Sequence, residues 1–224
     1  MNWSHLWEVA GRSFYTEFLD ELASIFVIIA YVAKKKRPRR QILLVTIAIA
    51  SLIQSLIYQS CNLQTINPAF RNQIIHYSIY TYILIETICC LTYLKIHINS
   101  DDIKKVISIT RLLFGSYIIS FVIFFSTTRF TYVEVTEAFL VIVFSLYLLY
   151  ELFVQKAEKK IFSQSVFWAT SGMLILFSST MPLFLFLKYL TDGSPSSKYS
   201  LFTINHMAYM LLFTSFTVAV LRNK

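Results

Sequence analysis

The chain has 224 residues, of which 56% are hydrophobic and only 14% charged, and it carries a formal net charge of +8. Soluble domains average roughly 45–50% apolar and about 25% charged, so this composition, with a mean hydropathy of +0.60, excludes an ordinary soluble domain. Four Gly and four Pro exclude a linker-rich or low-complexity protein.

The first residues do not read as a cleavable signal peptide. They lack a basic leading region, and Glu8, Glu17, Asp20 and Glu21 are wrong for one. Trp3, Leu6, Trp7, Ala10 and Phe14 recur at helical spacing, and Trp prefers the headgroup level. Residues 1–16 are therefore expected to lie as a short helix on the outer membrane surface.

Seven apolar stretches follow, each near the roughly 20 residues a spanning helix needs. They cover about 19–36, 41–59, 74–95, 106–126, 133–154, 164–188 and 201–221. The first carries Asp20 and Glu21 at its outer end. The second begins after the basic run Lys34–Arg40, which Pro38 interrupts. The longest gaps are Gln59–Gln73 and Lys95–Lys105; Tyr189–Ser200 holds the turn residues Asp192, Gly193 and Pro195. The expected fold is all-α: residues 1–224 form one bundle of seven transmembrane helices, with no soluble domain.

The basic residues orient it. Lys34, Lys35, Lys36, Arg37, Arg39 and Arg40 fill the first gap. Lys95, Lys104, Lys105 and Arg111 flank the third, Lys156, Lys159 and Lys160 the fifth, and Arg222 and Lys224 end the chain. The alternate gaps hold only Arg12, Arg71, Arg129, Lys188 and Lys198. Cytoplasmic loops hold the excess of Lys and Arg, which predicts the N-terminus outside, the C-terminus inside and a multi-pass protein of the inner, cytoplasmic membrane. The same residues account for the net charge as topology signals and contacts for anionic lipid. The bilayer is the expected partner, and no nucleic acid is expected.

Cys61, Cys89 and Cys90 form no zinc or disulfide framework. Cys61 lies in an outer gap and the other two well along the third helix, too far apart for a bridge.

Ionisable residues inside spans are functional-site candidates by default. Glu86 lies near the middle of the third helix, on a stripe with Tyr82, Cys89 and Tyr93; His76, Tyr80, Ile83, Thr87 and Cys90 form the adjacent stripe. Glu86 is expected to face the bundle interior, either as a hydrogen-bonding strut or as a ligand, ion or proton site. Glu21, His76, Glu137, Asn205 and His206 fall within about two turns of the outer helix ends. Tyr77, Tyr80, Ser178, Ser179 and Tyr209 lie deeper in that half. If these faces converge they make an outward-open polar pocket above Glu86. The candidate ligand-binding residues are Glu86, His76, Tyr80, Glu137, Asn205, His206 and Tyr209. Toward the basic side, Tyr147, Tyr150 and Trp168 read as an interface belt and Glu151 as the partner of a loop lysine. Ser171 and Gly172 are read as small residues for close helix packing, and Pro182 as a kink.

Several activities lack their residues. The seventh helix has no lysine for a retinal Schiff base. No HxxxH or HExxH spacing supports a zinc hydrolase, and no Ser/His/Asp arrangement is legible. Channel filters and arginine-rich voltage-sensing helices are absent. No catalytic residue, metal or cofactor is expected, and the chain is not read as an enzyme.

Tyr80 and Glu86 in the third helix, the run Phe167-Trp168, Gly172, Ser178-Ser179 and Pro182-Leu183-Phe184 in the sixth, and the polar opening of the seventh carry a resemblance. The chain resembles small stand-alone seven-helix membrane proteins of Bacteroidota and is similar to the seven-helix sensor region of some bacterial histidine kinases. That resemblance implies signalling, with a histidine kinase or another cytoplasmic protein as partner. The expected function is a sensor binding an unknown small ligand in the outer pocket. The alternatives are a transporter or proton-coupled carrier using Glu86 at the midplane, a membrane-embedded enzyme acting on lipid, and a scaffold.

Overall fold

The computed structural model describes residues 19, 21–34, 39–63, 67–124, 130–155, 161–191 and 195–222. The segment expected to lie on the membrane surface, 1–16, falls outside them. Every element among the described residues is helical: α1 (Glu21–Val32), α2 (Ile42–Leu63), α3 (Pro68–His97), α4 (Asp101–Phe124), α5 (Phe130–Gln155), α6 (Ser165–Thr191) and α7 (Pro195–Arg222). Helices suit this composition because lipid offers backbone groups no partner, so each must be satisfied within the segment.

Six of these helices are long and apolar enough to cross a membrane, the architecture of a multi-pass membrane protein. At 1.5 Å per residue the described part of α1 covers about 18 Å, against the roughly 30 Å of the hydrocarbon core. Its inner side, Ala23, Val27 and Ala30, is nevertheless buried in the core.

Two expected gaps close up. The stretch Gln59–Gln73 is mostly helix, because α2 runs on to Leu63 and α3 starts at Pro68. Asn67 caps α3 by accepting a hydrogen bond from Ala69 N at 3.0 Å. Pro68 occupies the first helical position, where its missing N–H costs nothing. Likewise α6 continues to Thr191 and Pro195 opens α7.

Helix α3 is the hub, packing against α2, α4, α5 and α6, while α6 joins α5 to α7. Helix α4 is peripheral: its span is 22% buried against 44% for α3 and α5. Its outer face shows Ile109, Leu112, Leu113, Ile119 and Ile123, side chains as apolar as the lipid tails they would meet. Hydroxyls on the spans turn inward on their own helices. Thr81 Oγ1 donates to the Tyr77 carbonyl and Thr214 Oγ1 to that of Met210, both at 2.8 Å.

Small residues set the α6–α7 spacing. A Cβ added at Gly172 would sit 2.7 Å from Ser215 Cβ, so the expected close packing holds at this position. Helix α6 is continuous through Pro182, whose ring nitrogen has no hydrogen to give the Ser178 carbonyl.

The end carrying the basic residues is tied together through backbone carbonyls. The last carbonyls of a helix have no helical donors. Gln41 Nε2 reaches those of Ala219 and Val220 at 3.1 and 3.2 Å, and Lys34 Nζ also bonds Val220. Trp168 Nε1 donates to Phe162 O at 2.8 Å, Arg222 binds the same carbonyl, and its guanidinium lies 5.4 Å from the Trp168 ring centre. Trp168 thus fixes a turn as well as sitting near the expected interface.

Glu151 has partners that its sequence position did not suggest. It is 5% exposed, and among the described residues no lysine forms an ion pair with it. Its carboxylate accepts from the backbone N–H groups of Asn99, at 2.9 Å, and Ser100, at 3.4 Å. A lysine would need to be drawn into the bundle to reach it, whereas the uncapped amides ahead of α4 already point there and favour negative charge.

Candidate ligand-binding site

In the half of the bundle away from the basic turns lies a cavity of about 320 Å³. Every described helix except α4 lines it, α1 through Glu21 alone and the others through side chains three or four residues apart. Helix α2 presents Ser51, Gln54, Ser55 and Tyr58, a polar stripe at helical spacing. Helix α3 adds Ile79, Tyr82 and Ile83, α5 Glu134 and Glu137, α6 Phe177, Thr180 and Phe184, and α7 Asn205, His206 and Tyr209; Glu21 closes the ring from α1.

Three carboxyl groups therefore face one cavity, and no Lys or Arg is among the described residues that line it. Glu21 Oε1 accepts from Ser55 Oγ and from Gln59 Nε2, the latter at 2.7 Å. Glu137, 3% exposed, is joined to Thr87 Oγ1 at 2.5 Å. Glu134 Oε2 and Asn205 Oδ1 are buried acceptors with no hydrogen-bond partner.

Glu86 is 1% exposed and lies beneath this space rather than on its wall. Tyr209 Oη donates to Glu86 Oε2 at 3.5 Å, and Glu86 Oε1 has no partner. Tyr82 stands four residues before Glu86, a turn nearer the cavity, and its ring lies 6.5 Å from that of Tyr209. The Tyr82 hydroxyl is buried without a hydrogen bond. Two tyrosines thus separate the deepest carboxyl from the open space.

Of the expected site residues, Glu137, Asn205, His206 and Tyr209 line the cavity and Glu86 lies below it. Tyr80 and His76 do not line it. Tyr80 belongs to a separate buried cluster with Phe114, Ile118 and Phe121 of α4, its ring 6.4 Å from Phe121. Residues two apart on a helix point about 200° apart, so with α4 on one side of α3 and the cavity on another, only Tyr82 of the pair reaches the cavity. His76 is half-buried, with Nδ1 enclosed and unpaired. Ser179 Oγ turns back onto the Ile175 and Leu176 carbonyls, and Thr180 takes the wall position expected of the serines.

Sequence reasoning missed Glu134, Gln54, Ser55 and Tyr58. Their signals were present: Glu134 and Glu137 are three apart on one face, and the α2 stripe repeats at helical spacing. Among the described residues no group of three or more His, Cys, Asp or Glu is arranged to hold a metal ion. Compared with known protein families, curated proteins and solved structures, the chain matches none of them.

Proposed function

We propose that this is a receptor-like protein of the inner membrane, with seven spans, the N-terminus outside and the C-terminus in the cytoplasm. It binds a small ligand in the outward cavity and signals through a separate partner, such as a histidine kinase, at its basic face. One observation carries the reading: a cavity in which half-buried Glu134 and Asn205 each hold a buried oxygen with no hydrogen-bond partner. Buried polar groups are normally paired, and a site that leaves them open is completed by a ligand. The six helices that meet there also reach the basic end, so a ligand that draws the lining together alters helix packing at the opposite face. The resemblance to stand-alone seven-helix sensors supports the same role.

The test has two arms. Cysteines placed at Gln73 and at Ser100 are to be labelled in intact cells with a membrane-impermeant maleimide; the orientation requires labelling at Gln73 alone. Pull-down of the full-length protein from its own membranes should then recover a kinase or response regulator, and loss of that partner from every preparation would count against the signalling role.

A second reading, a proton-coupled carrier, has its own support. Thr87 has one hydroxyl proton and two oxygens in reach, the Ile83 carbonyl at 2.7 Å and Glu137 Oε1 at 2.5 Å. When Thr87 donates to Ile83, only a protonated Glu137 completes the second bond. The pair is thus a place where a proton can be held or released. Proton flux into dye-loaded proteoliposomes, abolished by Glu137→Gln or Glu86→Gln, would favour the carrier; tight vesicles with no flux would favour the receptor.

A further inference from the structure

The cavity is unbalanced in charge and in hydrogen bonding. The chain carries a net charge of +8, yet Glu21, Glu134 and Glu137 face the space with no basic side chain among the described residues that line it. Three of the unmet oxygens belong to carboxyl and amide groups. Glu134 Oε2, Asn205 Oδ1 and, beneath them, Glu86 Oε1 are acceptors without donors. The Tyr82 residue, 8% exposed and on the wall, leaves its hydroxyl unpaired as well. An ionised carboxylate only accepts, and an unpaired one in a low-dielectric space is costly. A ligand that brings positive charge and several N–H donors would satisfy these groups in their ionised form.

The shape narrows the class. A bare metal ion is disfavoured, because the carboxyls are not grouped as ligands around one point. About 320 Å³ is far more than an ion needs, and Phe177, Phe184, Tyr58 and Tyr209 offer aromatic surface around the carboxyls. Aromatic faces attract cations as well as apolar bodies. We propose that the cavity binds a small primary amine in its ammonium form, with the ammonium among Glu134, Glu137 and the Tyr82 hydroxyl and the apolar body against Phe177 and Phe184. The assignment rests on reading the cavity as a ligand site and names the ligand's chemistry.

The experiment uses the full-length protein in nanodiscs and three probes of one shape. Tyramine carries the ammonium, tyrosol has a hydroxyl in its place, and 4-hydroxyphenylacetate has a carboxylate. Binding is read by calorimetry at pH 7. Tyramine is expected to bind at least about tenfold more tightly than tyrosol, the ratio set by one charge-assisted contact, and the carboxylate not at all. Glu134→Gln should remove most of that preference. Tyr82→Phe, which keeps the ring and so the packing, should weaken tyramine roughly two- to tenfold and supplies the answer if the glutamine variant does not fold. Equal or tighter binding of tyrosol or 4-hydroxyphenylacetate would overturn the amine assignment while leaving a ligand cavity. Binding of none of the three also overturns it, and the receptor and carrier readings then rest on their own labelling, pull-down and flux measurements.

Discussion

Thr87 of α3 and Glu137 of α5 meet at 2.5 Å inside the bundle, fifty positions apart in the chain. The contact joins the hub helix to the helix that carries two of the cavity's three carboxyls, and it fixes where the Glu137 side chain stands. Thr87→Val keeps the shape and removes the hydroxyl. A buried acceptor that loses its partner costs about 1–3 kcal/mol, so the variant should melt at a lower temperature in detergent. Adding Glu137→Gln should restore part of the loss, and strictly additive losses in the double variant would mean the two residues do not interact.

The α6–α7 seam makes a steric prediction. A methyl at Gly172 would fall 2.7 Å from Ser215 Cβ, and the opposing helix must move to admit it. Overpacking of this kind costs about 1–3 kcal/mol. Gly172→Ala should therefore destabilise, and Ser215→Gly in the same chain should relieve it. Thermal unfolding of the two single variants and the pair decides the matter; an unrelieved double variant would place the strain elsewhere.

Glu151 should matter through backbone amides. Glu151→Ala removes the acceptor for the Asn99 and Ser100 N–H groups, a loss comparable to that of a helix cap, about 1 kcal/mol. Hydrogen exchange followed by mass spectrometry should show faster exchange in the peptide covering residues 98–104, with the peptides of α6 and α7 unchanged. Unchanged exchange at 98–104 would show that Glu151 does not hold this turn.

Gln41 ties the start of α2 to the end of α7 by two hydrogen bonds to the Ala219 and Val220 carbonyls. Gln41→Leu retains the volume and loses both. At about 0.5–1.5 kcal/mol for each bond, the expected cost is about 1–3 kcal/mol, measured by the same melting assay. Gln41→Glu should do worse than Gln41→Leu, because it brings a carboxylate against two carbonyl oxygens; the reverse order would contradict the geometry.

Hydrophobic runs and local helix chemistry were legible without any structure. The stretches at 41–59, 74–95, 106–126, 133–154, 164–188 and 201–221 each fall on a long apolar helix, because spanning length and polarity are properties of consecutive residues. Their ends were less legible. The polar stretch before His76 reads as a loop by composition, yet Asn67 and Pro68 carry the N-terminal signals that start α3 there. Part of the site was readable too: Glu137, Asn205, His206 and Tyr209 sit at one end of their helices, and that end holds the cavity.

The sequence by itself determined which segments are helices, which of them are apolar enough for lipid, and that the basic residues gather toward alternate gaps. Only the tertiary structure decided which face of each helix meets which neighbour. Tyr80 and Tyr82 differ by two positions and are equally polar. One faces α4 and the other the cavity because α3 is packed on several sides, so its own pattern shows no single lipid-facing stripe. Glu134 became a wall residue, Glu86 a buried one beneath two tyrosines, and Glu151 a cap for the turn ahead of α4. Each outcome depends on helix rotation, a quantity set by side chains tens of residues apart that meet only when the bundle closes.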